Sequence, residues 1–331
     1  MNYSGPTVDE LGEVAALKLA VKNFRKVETT LVGSGDDAAV VAVSDGRFVV
    51  TTDTMVESHD FRTDFSSAYD LGFKAVASNV ADVAAMGAKP IALVVAMVIP
   101  KTTKVSWLED FARGLQAGCD ELAPDCEIVG GDLASGEQIV IAVTAHGTLA
   151  GANPVLRSGA QVGDQVALAG TLGRAACGLD LLLHSDSSLA KAYDEWVAIQ
   201  LRPTPPIQLG IQAAATANSM LDVSDSLALD SNRLANASNV TIELDRTKLE
   251  GYAAVLELAA LSMTARDDVA RDPMHWVLYG GEDHALLATF PAGAELPRGF
   301  KVIGKVIERN QSPVLLGASP LEAKGWDSVS S

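Results

Sequence analysis

The apolar positions change period several times along the chain, and each change marks an element. Residues 38–43 (AAVVAV) and 47–52 (RFVVTT) are short β-branched runs separated by Ser44-Asp45-Gly46, which predicts two strands joined by a turn. Residues 66–87 predict a long helix ending at Gly87, where glycine serves as the C′ residue. IALVVAMVI reads as a buried strand, 105–122 as a helix, and EIVGGD and QIVIAVTAHG as two further strands. Ahead of these, Thr7-x-x-Glu10 is a capping box that opens a helix expected to run to about Phe24.

The texture changes at GANPVLRSGAQVGD (151–164), rich in Gly, Pro and Asn, and then the alternation restarts. A strand (QVALAG), a helix from about Leu172, a Pro-rich joint (LRPTPP), a helix, a strand (SMLDVSD) and another helix follow, with late strands near 284–290 and 301–308. The expectation is an α/β chain of α+β type in two domains, 1–152 and 153–331.

Composition narrows what these domains do. The chain has 331 residues, is 48% hydrophobic and carries a formal net charge of −17, so it builds real cores yet has no basic block for nucleic acid. Cys119, Cys126 and Cys177 have neither metal-finger nor CxxC spacing and read as core thiols. MNYSGPTVDELGEV lacks a basic region followed by an apolar one, and IALVVAMVIP is far shorter than the ~20 residues needed to span a bilayer. A cytoplasmic protein without membrane association is expected.

The acids give the chemistry. Asp36 and Asp37 follow Gly33-Ser34-Gly35; Asp53 follows FVVTT; Asp132 follows IVGG; Asp222 and Asp225 lie in DVSD. Asp82 continues a polar stripe with Lys74 and Ser78 on an otherwise apolar helix. Strand ends are where α/β proteins build sites, and clustered carboxylates are tolerable there if divalent cations sit among them. Hard oxygen donors with no His or Cys cluster favour Mg²⁺ over zinc. Taken singly, each Asp is as readable as a turn former or helix cap. Gly130-Gly131 and Gly280-Gly281 add sites where a backbone can approach phosphate, although such pairs are also plain turns. GSGDDA matches a dinucleotide fingerprint but leads into a strand rather than a helix, and GFKVIGKV has Val306 where a phosphate-binding loop needs Ser or Thr.

GSGDDAAVV, TTDTMVESHDF, NVADVAAMGAKP, IVGGDLASG, RSGAQVGD, LDVSDSLALD and YGGEDHALL, in this order from residue 33 to about 287, resemble the thiamine-monophosphate kinases. These belong to the superfamily that includes aminoimidazole ribonucleotide synthetase. The resemblance implies two α/β domains, the first binding ATP and Mg²⁺, with N-terminal strands pairing across a homodimer. It also implies transfer of the ATP γ-phosphoryl group to thiamine monophosphate, giving thiamine diphosphate with several Mg²⁺ ions. By motif position, Asp37, Thr51, Thr52, Asp53, Asp82, Asp132, Asp222 and Asp225 would serve the metals. Gly131, Asp132, Arg157 and Ser224 would contact ATP. Glu282 and Trp326 would contact the thiamine moiety, with His59 or Asp60 also on the acceptor.

Three positions depart from the family pattern: Asp60 stands where a His is usual, with His59 one residue earlier; Ser226 replaces the usual Gly after VSD; and GWDSVSS lacks a His-Phe pair. No general base is expected, because the acceptor phosphate is already ionised near neutral pH. Two other classes stay open. A superfamily relative with a reactive cysteine is disfavoured because no Cys precedes Cys119. A non-catalytic Mg-nucleotide binding protein would show binding without turnover.

Overall fold

The computed structural model describes residues 3–32 and 40–326; Asp36 and Asp37 lie outside the described residues. The chain divides into two compact units. One takes the residues up to Val83 together with Ala88–Ala152, the other Ala84–Gly87 and the chain from Asn153 onward.

In the first unit the capping box forms, with Glu10 N donating to Thr7 Oγ1 (3.2 Å) and Thr7 N to Glu10 Oε2 (2.7 Å). The helix it opens is nevertheless short. It stops at Gly12 (φ +82°), restarts over Glu13–Ala20 and closes in a tighter turn over Val21–Asn23. Glycine enters that left-handed conformation without steric penalty, so the break falls there rather than at Phe24. Strand β1 (Thr30–Val32) pairs with β2 (Val40–Val41), while β3 (Val49–Val56) pairs elsewhere, so the two runs flanking Ser44-Asp45-Gly46 are not partners.

With β4 (Lys89–Ile99), β5 (Glu127–Ser135) and β6 (Val140–Thr148), β3 builds a sheet in the order β3-β6-β4-β5. Only β4 and β5 are parallel within it. Alternate residues Ile141, Val143 and Ala145 of β6 are buried, and their neighbours are half-buried. Helices Ala68–Ala85 and Val105–Leu122 cross at two glycines. A Cβ on Gly72 would lie 2.2 Å from Phe111 O and one on Gly114 2.0 Å from Tyr69 O, so only glycine permits this approach. The second helix buries one stripe, Val105, Leu108, Phe111, Leu115, Cys119 and Leu122, at the spacing an amphipathic helix requires.

The second unit is built on a sheet in the order β13-β12-β9-β11-β7-β10-β8. Its strands are β7 (Gln165–Ala169), β8 (Ser219–Val223), β9 (Thr241–Leu244), β10 (Ala285–Phe290), β11 (Lys301–Ile307), β12 (Val314–Leu316) and β13 (Ser319–Pro320). Period-two alternation sends Val166, Leu168, Leu221, Val223 and Leu287 into one core and Ala167, Met220, Leu286, Ala288 and Phe290 into the other. A sheet buried on both faces explains the near-continuous apolar runs; each fully buried Leu or Phe contributes about 1.5–3 kcal/mol. The GFKVIGKV segment is strand β11 and not a phosphate loop. All three cysteines are buried free thiols, and burial pushes that of Cys177 up to about 12. Among the described residues no helix is long and apolar enough to cross a membrane.

Candidate active site

In the first unit the acids do not follow the strands; they stand within them. Strand β3 runs on through Asp53 to Val56, and β5 runs through Asp132 to Ser135. The partner strands offer backbone pairing along their whole length, which overrides the low strand propensity of Asp at exposed positions. Thr51 Oγ1 donates to Asp82 Oδ2 (2.8 Å), and Asp53 N donates to Asn79 Oδ1 (3.2 Å). The Ala68–Ala85 helix therefore presents Asp82 and the buried Asn79 to one face of β3, next to Thr51 and Asp53. Asn79 is a site residue that motif reading missed; its only signal is its place three residues before Asp82 on the same helix.

Thr52 points the other way. Its hydroxyl donates to Val143 O (2.9 Å) and accepts from Thr144 Oγ1 (3.2 Å). Asp132 also leaves the Thr51–Asp53–Asp82 group. It falls in the row Thr54–Ala142–Ala96–Asp132, one residue out of step with the row Asp53–Val143–Val95–Gly131. It thus sits on the opposite face and across three strand spacings, about 14 Å from Asp53. Gly131 lies mid-strand, and a Cβ there would come 2.1 Å from Val95 O.

The Asp60 carboxylate closes a turn, accepting from Val56 N (2.7 Å). His59 Nδ1 stands 3.6 Å from Asp60 Oδ1, and the His59 side chain is the more exposed of the two. Beside this turn Ser58, Arg62, Thr63 and Asp64 line an open cavity of about 380 Å³.

In the second unit the acids are braced from several sides. Asp222 is buried on β8, its Oδ2 3.3 Å from Nδ1 of the buried His284. After β8 the loop Ser224-Asp225 leads to Ser226, which caps helix Leu227–Ser238. Asp230 Oδ2 accepts from Asp225 N and Ser226 N (3.1 Å each), fixing the loop backbone. Arg233 Nη1 joins Asp225 Oδ2 to Asp230 Oδ1. Burial pushes Asp230 up to about 6, against Ser226 N and Arg233, which favour its charged form. Asp230 and Arg233 were not predicted; they follow Asp225 by five and eight residues along LALDSNR, where helical spacing returns them to the loop.

The GGED segment packs against this loop. Glu282 N donates to Ser224 O (2.8 Å), and Glu282 and His284 both adopt left-handed backbone (φ +65° and +50°). Such conformations cost of order 1–3 kcal/mol each and persist where surroundings enforce them. A Cβ on Gly281 would lie 2.2 Å from Ser224 O, and one on Gly280 2.4 Å from Trp276 O. The pair serves close backbone packing against Ser224 and Trp276. Glu282 Oε2 accepts from Gln200 Nε2 (2.7 Å). Asp283 caps helix Arg174–Leu183 through Ala175 N and also accepts from Thr171 Oγ1; burial raises its carboxyl above the ordinary range. Arg157 opens a short turn whose backbone carbonyl accepts from Ser238 Oγ (2.7 Å). Trp326 is exposed, and its backbone N–H donates to Asp225 O (3.3 Å).

No group of three or more His, Cys, Asp or Glu side chains is placed as a metal cage among the described residues. The donor set is nonetheless carboxylate and hydroxyl oxygen. Mg²⁺ is commonly held by one or two carboxylates together with substrate phosphates and water, so both sets of acids fit it.

Two mixed α/β units with carboxylates at such positions define a class, and the family described as AIR synthase related protein, N-terminal domain, matches residues 35–149. Within it, the thiamine-monophosphate kinase of Mycobacterium tuberculosis (strain H37Rv) is 40% identical over 324 residues, covering 98% of this chain and 93% of the relative. The solved thiamine-monophosphate kinase from Stenotrophomonas maltophilia K279a shares 29% identity at a TM-score of 0.73, covering 93% and 95%. A structure described as AaThiL complexed with AMPPCP and TMP shares 28% identity at a TM-score of 0.72, covering 97% and 98%. The chain belongs to the thiamine-monophosphate kinase family.

Proposed function

We propose that this chain transfers the γ-phosphoryl group of ATP to thiamine monophosphate, giving ADP and thiamine diphosphate. The observation that carries this reading is the Asp222/Asp225 loop, braced by His284, Asp230 and Arg233 and closed by the strained GGED segment. Membership in the kinase family and the relative's complex with AMPPCP and TMP support it.

The task is to align two polyanions, and the chain does so by placing hard donors in advance. Thr51, Asp53 and Asp82 in one unit, and Asp222 and Asp225 in the other, would hold Mg²⁺, and Asp37 joins them by motif position; Thr52 and Asp132, on the opposite face of the first sheet, would serve only a metal held on that face. Bound Mg²⁺ supplies neutralisation of phosphate charge as it develops. Gly131, Asp132, Arg157 and Ser224 bind the nucleotide, Arg157 as a bidentate phosphate donor. Glu282 and Trp326 receive the thiamine moiety, Trp326 by stacking with cation–π character on the thiazolium ring. His59, rather than Asp60, faces the acceptor phosphate, since the Asp60 carboxylate is occupied by Val56 N. The chain acts in the cytoplasm.

We also propose a homodimer. Both outer strands of the first sheet, β3 and β5, lack a second partner among the described residues, and Val50 (56% exposed) and Ala96 are exposed on one face of it, beyond the part that Val41 and Val43 cover. Unpaired edges of this kind require cover.

The direct test is ADP release with ATP and Mg²⁺ in the presence of thiamine monophosphate, thiamine or no acceptor, with thiamine diphosphate detected separately. Product with the monophosphate alone is expected. ADP without thiamine diphosphate, or nucleotide binding without turnover, would overturn the acceptor assignment.

A further inference from the structure

Ser226 is the residue that departs from the family's glycine, and the structure gives it two bonds that glycine lacks. Its backbone is extended (φ 175°), a conformation open to any residue, so the site does not require glycine. The side chain is wholly buried. Its hydroxyl accepts from Leu229 N (2.9 Å), capping the helix, and donates to Lys324 O (2.6 Å), 98 residues away. The segment held in this way is an irregular strap, 322–326, that includes Trp326 and is exposed at each of these residues. Two residues past the tethered carbonyl, Trp326 N donates to Asp225 O. Between the two bonds Gly325 passes so close that a Cβ there would lie 2.7 Å from Ser226 Oγ and 2.9 Å from Asp225 O. The strap is therefore bonded at Lys324 and Trp326, with Gly325 packed close between them, to the loop that carries Asp225.

We propose that Ser226 is a positioning residue for the acceptor: its hydroxyl fastens the 322–326 strap so that Trp326 is held beside the Asp225 loop. The proposal rests on the reading that Trp326 contacts the thiamine moiety. An exposed strap without the tether would sample many positions, and the acceptor would have to order it on binding. The consequence falls on acceptor binding. The strap meets Asp225 only at its backbone carbonyl, while the Asp225 carboxylate is held by Arg233, so the side chains assigned to metal and ATP keep their own supports.

The test compares the full chain with S226G, G325A, W326A and the S226G/W326A double variant. S226G keeps an acceptable helix cap, and G325A leaves the Ser226 hydroxyl in place but crowds the strap against Ser226 Oγ and Leu229 Cδ2. Trypsin cleavage after Lys324, whose carbonyl is the tethered group, reports the strap directly. S226G and G325A should each raise KM for thiamine monophosphate by about five- to twenty-fold, with kcat and KM for ATP within about two-fold. Cleavage after Lys324 should become at least about five-fold faster. W326A should raise the same KM, and S226G should add nothing in the W326A background. Wild-type cleavage rates in S226G, with W326A still raising KM, would overturn the tether and leave the Trp326 reading standing. Faster cleavage with no KM change in W326A would overturn that reading, and with it the role in acceptor positioning, and leave the tether standing.

Discussion

Asp53 and Asp222 both stand on outer strands of their sheets, yet they are supported in opposite ways. Asp53 is on an exposed stretch of β3, where helix 68–85 contributes Asn79 to its backbone N–H and Asp82 to the neighbouring Thr51. Asp222 is on a strand buried along its whole length, against a buried histidine. The loop after it is locked by a buried carboxylate, an arginine and a glycine that tolerates no side chain. The first set combines an exposed Asp53 with a half-buried Asp82 that accepts from Thr51. The second is organised before anything binds, at the expense of two left-handed non-glycine residues and a buried acid. Functional sites commonly carry this kind of stored strain; Glu282 and His284 carry it next to Asp222 and Asp225, whereas neither Asp53 nor Asp82 has a left-handed backbone.

Removing the charge should have the largest effect and should separate the two sets by stability. D53N and D222N are each expected to lower turnover by at least about 10³-fold, as for loss of a group that stabilises developing charge. Thermal denaturation should show D53N within about 0.5 kcal/mol of the parent, as for an exposed substitution. D222N should shift visibly because His284 loses its charged partner. Near-normal activity in either variant would remove that residue from the metal set. A smaller change tests the bracing itself. H284N keeps a residue that tolerates left-handed backbone but withdraws the imidazole from Asp222. It should weaken apparent Mg²⁺ affinity about 10–100-fold, read by Mg²⁺ titration of thermal stability as well as of activity. An unchanged titration would reduce His284 to a packing residue.

Two glycine pairs sharpen the comparison further. G281A places a Cβ 2.2 Å from Ser224 O and should cost about 1–3 kcal/mol in denaturant unfolding. G130A meets nothing within 4 Å and should stay within about 0.5 kcal/mol. The smallest effect is expected of T51V, which removes one hydrogen bond to Asp82 and should cost about 1 kcal/mol, with a modest change in Mg²⁺ dependence. A T51V loss as large as that of D53N would show that the first set is as tightly organised as the second.

Much of this was legible along the chain because the signals are local. The Val105–Leu122 helix, the β4, β7 and β10 runs and the Thr7 capping box depend on side-chain period and on caps within a few residues. The acids of DVSD and VGGD were legible by type, since oxygen donors near glycines at strand ends imply a particular chemistry. The break at Gly12 and the strands and helices between 239 and 283 were not. Short elements such as β9 (Thr241–Leu244) exist only because neighbouring strands pair with them.

The sequence by itself determined the family, the mixed α/β class and the identity of the donor groups, because these are carried by residue type, order and short-range period. Tertiary structure decided which donors share a face, since strand register alone places Thr51 with Asp53 and sends Thr52 and Asp132 to the other side. It also decided what Ser226, Asn79, Asp230 and His284 do. Their partners lie on other elements or other turns of a helix, and only the folded chain brings those partners within hydrogen-bonding distance.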